Sequence, residues 1–152
     1  ISLCPEIVSD LAYQPIRRER IVALLAATHP LAAEPTIPLA SLRDEQQVLF
    51  PRELAPRLHD TLIGICRSAG FEPTLRPESF HTGWELHTLA DLPIVALAPE
   101  SVAPHLPAGV VGIPLADPAD TLETALVWHP DTDTPAATEF RALAATLFNP
   151  AT

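Results

Sequence analysis

Lysine is missing altogether: the nine basic residues are all arginine, they face nineteen acidic ones, and the formal charge is −10. So acidic a surface argues against this chain gripping nucleic acid by itself, because phosphate binding rests on clustered positive charge. Arg17, Arg18 and Arg20 do cluster, but Glu19 interrupts them, and they read as a solvated strand edge. Cysteine is scarce: Cys4 and Cys66 stand far apart without metal spacing, which offers neither a disulfide framework nor a zinc site and fits a reducing compartment. The five glycines are scattered, so no phosphate-cradling loop exists. Neither a GxSxG elbow nor an HExxH pair is present. No apolar run approaches bilayer length and no signal-peptide pattern opens the chain, so the expectation is a cytoplasmic protein without a membrane partner. There is no internal repeat.

What is present is 152 residues, 47% of them hydrophobic, enough for one packed domain or a piece of a larger one. One stretch organises the rest. Val48-Leu49-Phe50 is a short apolar run stopped by Pro51 and reads as a buried strand. Leu54, Leu58, Leu62 and Cys66 then recur every fourth residue, with Ile63 and Ile65 widening the stripe, as on an amphipathic helix. Gly70 falls where a helix end favours a left-handed residue, and Phe71 can fold back on the last turn. In open α/β sheets ligands gather where a strand's carboxyl end meets the next helix. Here that junction is Pro51-Arg52-Glu53, followed by Pro56-Arg57-Leu58.

Along the chain, residues 6–19 read as irregular and polar, and Ile21–Ala27 as a strongly apolar strand closed by Thr28-His29-Pro30. Residues 31–40 form a proline-punctuated loop, and Ser41 with Asp44 resembles a capping box for a short helix. Thr74–Arg76 is a modest strand, His81–Asp91 a short helix and Ile94–Ala98 another apolar strand. Pro99-Glu100-Ser101 opens a helical turn. Val110–Leu115 and Thr124–Trp128 are two further strands, separated by the acidic loop Asp117-Pro118-Ala119-Asp120. Thr134 caps a last helix with Pro135 at its first position and Phe140, Leu143, Ala144 and Leu147 on its buried face. Ile1-Ser2-Leu3-Cys4-Pro5 looks like the tail of a strand whose partners precede it, so upstream residues are expected. Strands alternating with helices give an α/β class with a mixed central sheet flanked by helices.

Candidate chemistry is sparse. His81 and Glu85 share one face of a predicted helix at metal-ligand spacing, but two ligands with no third nearby predict no metal site, and no cofactor is expected. His29 reads as a turn residue and Cys66 as a buried structural thiol. Arg52 stands at a helix N-terminus, where dipole and guanidinium together favour a carboxylate. The plainer alternative is an ordinary solvent-facing arginine neutralised by Glu53. No nucleophile–base pair is visible, so no enzyme is expected.

The order of short motifs resembles that of LysR-type transcriptional regulators. It comprises His29-Pro30-Leu31-Ala32, Leu49-Phe50-Pro51-Arg52-Glu53 and Cys66-Arg67-Ser68-Ala69-Gly70-Phe71-Glu72-Pro73. It continues with Ala98-Pro99-Glu100-Ser101-Val102, Val110 through Pro118, and Thr124-Ala125-Leu126-Val127-Trp128. The resemblance runs from about Ile1 to Leu147. It implies the C-terminal effector-binding domain of such a regulator, a periplasmic-binding-protein-like, Rossmann-type fold of two α/β subdomains with a ligand cleft between them. Residues 21–98 would form subdomain II, and 1–20 with 105–152 would lie near or in subdomain I. The first β-α units of subdomain I and the helix-turn-helix that meets operator DNA would lie outside this chain. Carried over by position, the effector-facing residues are Pro51, Arg52, Glu53, Pro56, Arg57 and Leu58. The loop Phe80-His81-Thr82-Gly83 lies on the same side, and Cys4-Pro5 faces it across the cleft. Arg57 and Leu58 align with positions used by members that bind aromatic acids. The implied function is sensing of a small, anionic metabolite (an aromatic or other carboxylate) by a protein that is a homo-oligomer at full length. The competing reading is a solute-binding protein or an enzyme on the same architecture. One departure stands out: Leu92-Pro93-Ile94 occupies the place where the family has Gly-x-Gly.

Overall fold

The computed structural model describes residues 2–5, 9–76, 86–116, 121–132 and 134–148. Ile21, Val22, Ala23, Leu24 and Leu25 are all buried, as an unbroken apolar run requires of a strand covered on both faces. They belong to a longer strand than the apolar run predicts. Strand β2 spans Ala12–Ala26, preceded by β1 at Ser2–Leu3. Its first half corrects the expectation of irregular chain up to residue 19. There Ile16 and Glu19 are buried while Arg17, Arg18 and Arg20 remain exposed, as the solvated-edge reading requires.

The chain divides into two compact units, Ile1–Glu19 with Leu122–Thr152, and Arg20–Thr121; β2 runs through both. In the second unit β2 pairs antiparallel with β5 (Ile94–Pro99), Leu24 opposite Ala96, and on its other edge with β6 (Val110–Pro114), Leu24 opposite Gly112. Strand β3 (Gln46–Gln47) runs parallel to β5 and to β4 (Thr74–Leu75). The order is β6-β2-β5-β3-β4, a mixed sheet. The strand expected at 48–50 is therefore shifted: Gln46 and Gln47 carry the pairing, and Val48 adds one bond, its N–H donating to the Val95 carbonyl at 2.8 Å. Val48 joins Val22, Leu24, Leu89, Ile94, Ala96, Ala98 and Val110 in one apolar cluster.

Successive strand residues face opposite sides, so Gln47 looks the other way, toward helix α1 (Pro56–Ser68). Its amide oxygen accepts from the buried Cys66 thiol at 3.7 Å. Helix α1 buries Leu62, Ile63, Ile65 and Cys66. Leu54, expected on that stripe, lies before the helix and is 71% exposed, and Leu58 is half-buried. The glycine stop is as predicted. Gly70 has φ +85°, its N–H donates to Arg67 and that of Phe71 to Cys66, which closes the last turn in a Schellman arrangement. Arg67 grips Glu72 across this turn with two hydrogen bonds at 2.7 and 2.9 Å.

Local readings fare differently. Leu39–Leu42 is a 3₁₀ turn in which the Ser41 hydroxyl donates to the Pro38 carbonyl at 2.7 Å, not a capping box. Of the helix expected at 81–91, the described part is α2, Thr88–Asp91; residues 77–85 fall outside the described set. Pro93 follows an extended Leu92 (φ −118°, ψ 147°), which ends α2 without the family's glycines. His29 is a turn residue, its Nδ1 accepting the Leu31 N–H at 3.1 Å.

In the first unit β7 (Thr121–Trp128) lies between β1 and the first half of β2. Helix α3 (Pro135–Leu147) starts as predicted, the Thr134 side chain accepting the Ala137 N–H. Of the four residues expected on its buried face, Ala144 alone is buried, packing with Ile16, Leu126 and Trp128. Phe140, Leu143 and Leu147 stand 54%, 57% and 67% exposed. The Arg141 guanidinium lies 4.3 Å from the Trp128 ring centroid.

Candidate functional site

Three parallel strands, β4, β3 and β5, present their carboxyl ends to one side of the second unit, and after β3 the chain turns directly into α1. Pro51 leads into a 3₁₀ turn at Arg52–Leu54 that buries none of its residues. Ala55 is the N-cap of α1, with φ −156° and ψ 79°, and no side chain caps the helix. Pro56 occupies the first position, where its missing N–H is no loss. The first helical turn therefore directs its amide dipoles outward, with the exposed Arg57 and half-buried Leu58 on it.

Arg52 is engaged within the site. Its Nε and Nη2 donate to the Asp60 carboxylate at 2.7 and 2.6 Å, a fork-to-fork pair that ties the 3₁₀ turn to the second turn of α1. The neutralising partner is thus Asp60, not Glu53, which stays exposed. Behind the pair, His59 meets the Phe50 ring edge-on with centroids 6.1 Å apart. His59 Nδ1 is screened from solvent and stands 3.5 Å from Asp60 Oδ1; it makes no hydrogen bond among the described residues.

The Arg52 hydrogen bonds hold the Asp60 carboxyl at about 2, below the ordinary 3.8; some dehydration opposes them, and the charge of Arg52 and the nearby His59 act in the same direction as the hydrogen bonds. Asp60 is lowered relative to the unfolded chain, so its pairing with Arg52 supports the fold above pH ~4 and is lost as pH falls toward ~2. An NMR titration of the Asp60 carboxyl should find a midpoint near 2 in the native protein and a clearly higher one in Arg52→Gln, shifted toward the ordinary 3.8. An unchanged midpoint in the variant would contradict the pairing.

Of the other expected site residues, Phe80, Thr82 and Gly83 lie outside the described residues, as do His81 and Glu85. Cys4 is half-buried in the first unit, has φ +44°, and its N–H donates to the Glu123 carbonyl at 2.7 Å. Among the described residues no His, Cys, Asp and Glu side chains cluster as a metal would need. The Arg52–Asp60 link escapes sequence reading because its partners are eight residues apart across a 3₁₀-to-α junction, a spacing no helix rule marks.

The mixed sheet with flanking helices matches the periplasmic-binding-protein-like fold of LysR effector-binding domains of known structure. The chain belongs to the LysR substrate binding domain family, whose model matches residues 1–149. It is 35% identical over 119 residues to the transcriptional dual regulator GltC of Bacillus subtilis, covering 75% of this chain and 38% of that protein. It is 34% identical over 125 residues to the regulator IlvR of Caulobacter vibrioides, covering 82% and 41%. These relatives are transcriptional regulators, not enzymes, and the chain spans about two fifths of their length. Among solved structures, CbnR, a LysR family transcriptional regulator, superposes with a TM-score of 0.81 at 18% identity, over 95% of this chain and 50% of that one. The BenM effector binding domain with its effector benzoate gives 0.79 at 19%, over 95% and 66%. No helix among the described residues is long and apolar enough to cross a membrane.

Proposed function

We propose that this chain is the effector-sensing part of a LysR-type regulator, and that it receives a small carboxylate at the turn from Pro51 to Leu58. The observation that carries the reading is the N-terminus of α1, which has no side-chain cap and is flanked by Arg52 and Arg57 at the carboxyl edge of parallel strands. Helix amides and guanidinium both favour an anion there. Pro51, Arg52, Glu53, Pro56, Arg57 and Leu58 form the receiving surface. Arg52 arrives with Asp60 already bound, so it orders the turn, and Arg57 makes the direct charge contact. Leu58 supplies an apolar neighbour suited to an aromatic or branched acid; benzoate, the effector of BenM, is the natural first probe.

On the same reading the second unit corresponds to subdomain II of the family, which then extends beyond residue 98 to take in β6, and the first contributes to subdomain I. The regulator acts on operator DNA through a helix-turn-helix outside these residues, as a homo-oligomer in the cytoplasm. Ligand binding favours one closure of the domain and shifts the population that the DNA-binding part sees.

A thermal-shift screen of benzoate and aliphatic monocarboxylates tests the site. At least one acid should stabilise the chain, and Arg57→Ala should weaken its binding by about 10- to 100-fold, the worth of one charge-assisted hydrogen bond. Arg43→Ala, a change at an exposed arginine away from the turn, should leave it unaltered. If no acid stabilises the chain, or if Arg57→Ala responds like the parent, the reading fails. Salt-sensitive retention of DNA by the 152-residue chain alone would also contradict it.

A further inference from the structure

Five ionisable side chains lie between Arg52 and Asp60, and four of them cancel: Arg52 and Arg57 against Glu53 and Asp60. In a chain of formal charge −10, the turn therefore offers an arriving carboxylate no surplus positive charge beyond the helix dipole. The fifth side chain is His59. Histidine is the one side chain whose ordinary titration adds a positive charge between about pH 8 and pH 5.

The His59 side chain is 15% exposed, and its ring meets Phe50 edge-on. Nδ1 is shut off from solvent at 3.5 Å from Asp60 Oδ1 and makes no hydrogen bond among the described residues. Both neutral forms of the ring serve this atom badly. With a proton it is a buried donor standing off from its acceptor; without one its lone pair faces a carboxylate oxygen. The imidazolium is drawn onto that oxygen by charge as well as by hydrogen bonding. Asp60 can receive it. Oδ1 already accepts Arg52 Nε at 2.7 Å and has a second lone pair to offer. The Arg52 hydrogen bonds hold the Asp60 carboxyl at about 2, so it stays ionised wherever histidine titrates. The segments that meet at His59 are the Arg52–Leu54 turn and the first two turns of α1, and their other charged groups are Arg52, Glu53, Arg57 and Asp60.

We infer that His59 is a proton-linked positioning residue of the carboxylate site. An anion arriving at the N-terminus of α1 is accompanied by a solvent proton that goes to His59 Nδ1, and the new N–H donates to Asp60 Oδ1. The inference rests on the carboxylate reading of this turn. The α1 dipole disfavours an added cation at this end until an anion is present, so the two arrivals help each other. Asp60, shared by Arg52 and His59, then ties the turn more firmly to the helix. Since the bound state holds one proton more than the free state, binding tightens as pH falls through the histidine range and weakens as it rises.

The first test needs neither ligand nor variant. In an NMR titration of the 152-residue chain, the Asp60 carboxyl and Arg52 Nε signals should step together with the His59 ring, far above the Asp60 midpoint near 2. His59→Gln should lose that step. Asp60 and Arg52 signals that stay flat while His59 titrates overturn the inference. The second test measures benzoate and butyrate binding by calorimetry at about pH 8 and about pH 5.5. An acid that binds should do so about 5-fold or more tightly at the lower pH, and His59→Gln should lose most of that difference. Equal affinities at the two pH values overturn the inference and leave the carboxylate site standing. If neither acid binds at either pH, the site reading fails and the inference falls with it.

Discussion

Leu24→Ala should destabilise the protein by about 2–5 kcal/mol, a large share of the 5–15 kcal/mol that holds a domain of ordinary stability. Leu24 has no exposed surface, lies in the last part of β2 between Ala96 of β5 and Gly112 of β6, and belongs to the cluster with Val22, Val48, Leu89 and Ile94. Gly112 matters to this estimate. A Cβ placed there would lie 3.6 Å from Leu24 Cδ2, so Leu24 already fills the space beside the glycine. Truncation leaves a cavity lined by strand backbone on both flanks, which paired strands cannot close by collapsing. Urea unfolding should show a lower midpoint at unchanged slope. A loss below about 1 kcal/mol would mean that the β2–β5–β6 core is not packed as described.

The second large effect lies at Gly109, and Gly70 is its control. Both glycines have φ +85°, where an L side chain is strained. At Gly70 an added Cβ meets nothing within 4 Å, so Gly70→Ala carries only the backbone penalty, about 1–2 kcal/mol. At Gly109 the same Cβ falls 3.0 Å from Ala90 Cβ on α2, and the Gly109 carbonyl also accepts the Ala27 N–H at 2.7 Å. Relief requires moving α2 or giving up that hydrogen bond. Gly109→Ala should therefore cost about 1–3 kcal/mol more than Gly70→Ala. Adding Ala90→Gly should recover part of the extra loss and none of the shared backbone part. Equal losses at the two glycines would remove the close approach from the account.

These contrasts show where sequence reading succeeds and where it stops. Ile94–Ala98, Ile21–Leu25, Val110–Pro114, the Gly70 stop and the Thr134 cap were legible because each is a local pattern: an apolar run, a left-handed glycine, a capping hydroxyl. The first half of β2 was not, since Gln14, Pro15 and the Arg17–Arg20 segment carry no strand signal and are held there by pairing with β7. Leu54 misled by periodicity: it keeps the fourfold spacing but stands before Pro56, and the helix begins at the proline. Phe140, Leu143 and Leu147 misled differently, because α3 turns its small residues toward Trp128 and Leu126 and leaves the large ones outward. At the site, the junction of strand and helix was readable from order alone. The Asp60 partner of Arg52 was not, being fixed by the turn between them.

The turn Arg52–Leu54 buries no side chain, and the Arg52–Asp60 ion pair that holds it is exposed. Exposed pairs contribute about 0–1 kcal/mol, and substitutions away from buried features rarely move stability by more than about 0.5 kcal/mol. Selection for folding therefore has almost no hold on these three positions, whereas it grips Gln47, Val48 and Leu62 on either side. Duplicated genes carrying this domain can drift in what they recognise at Arg52–Leu54 while the sheet beneath stays fixed.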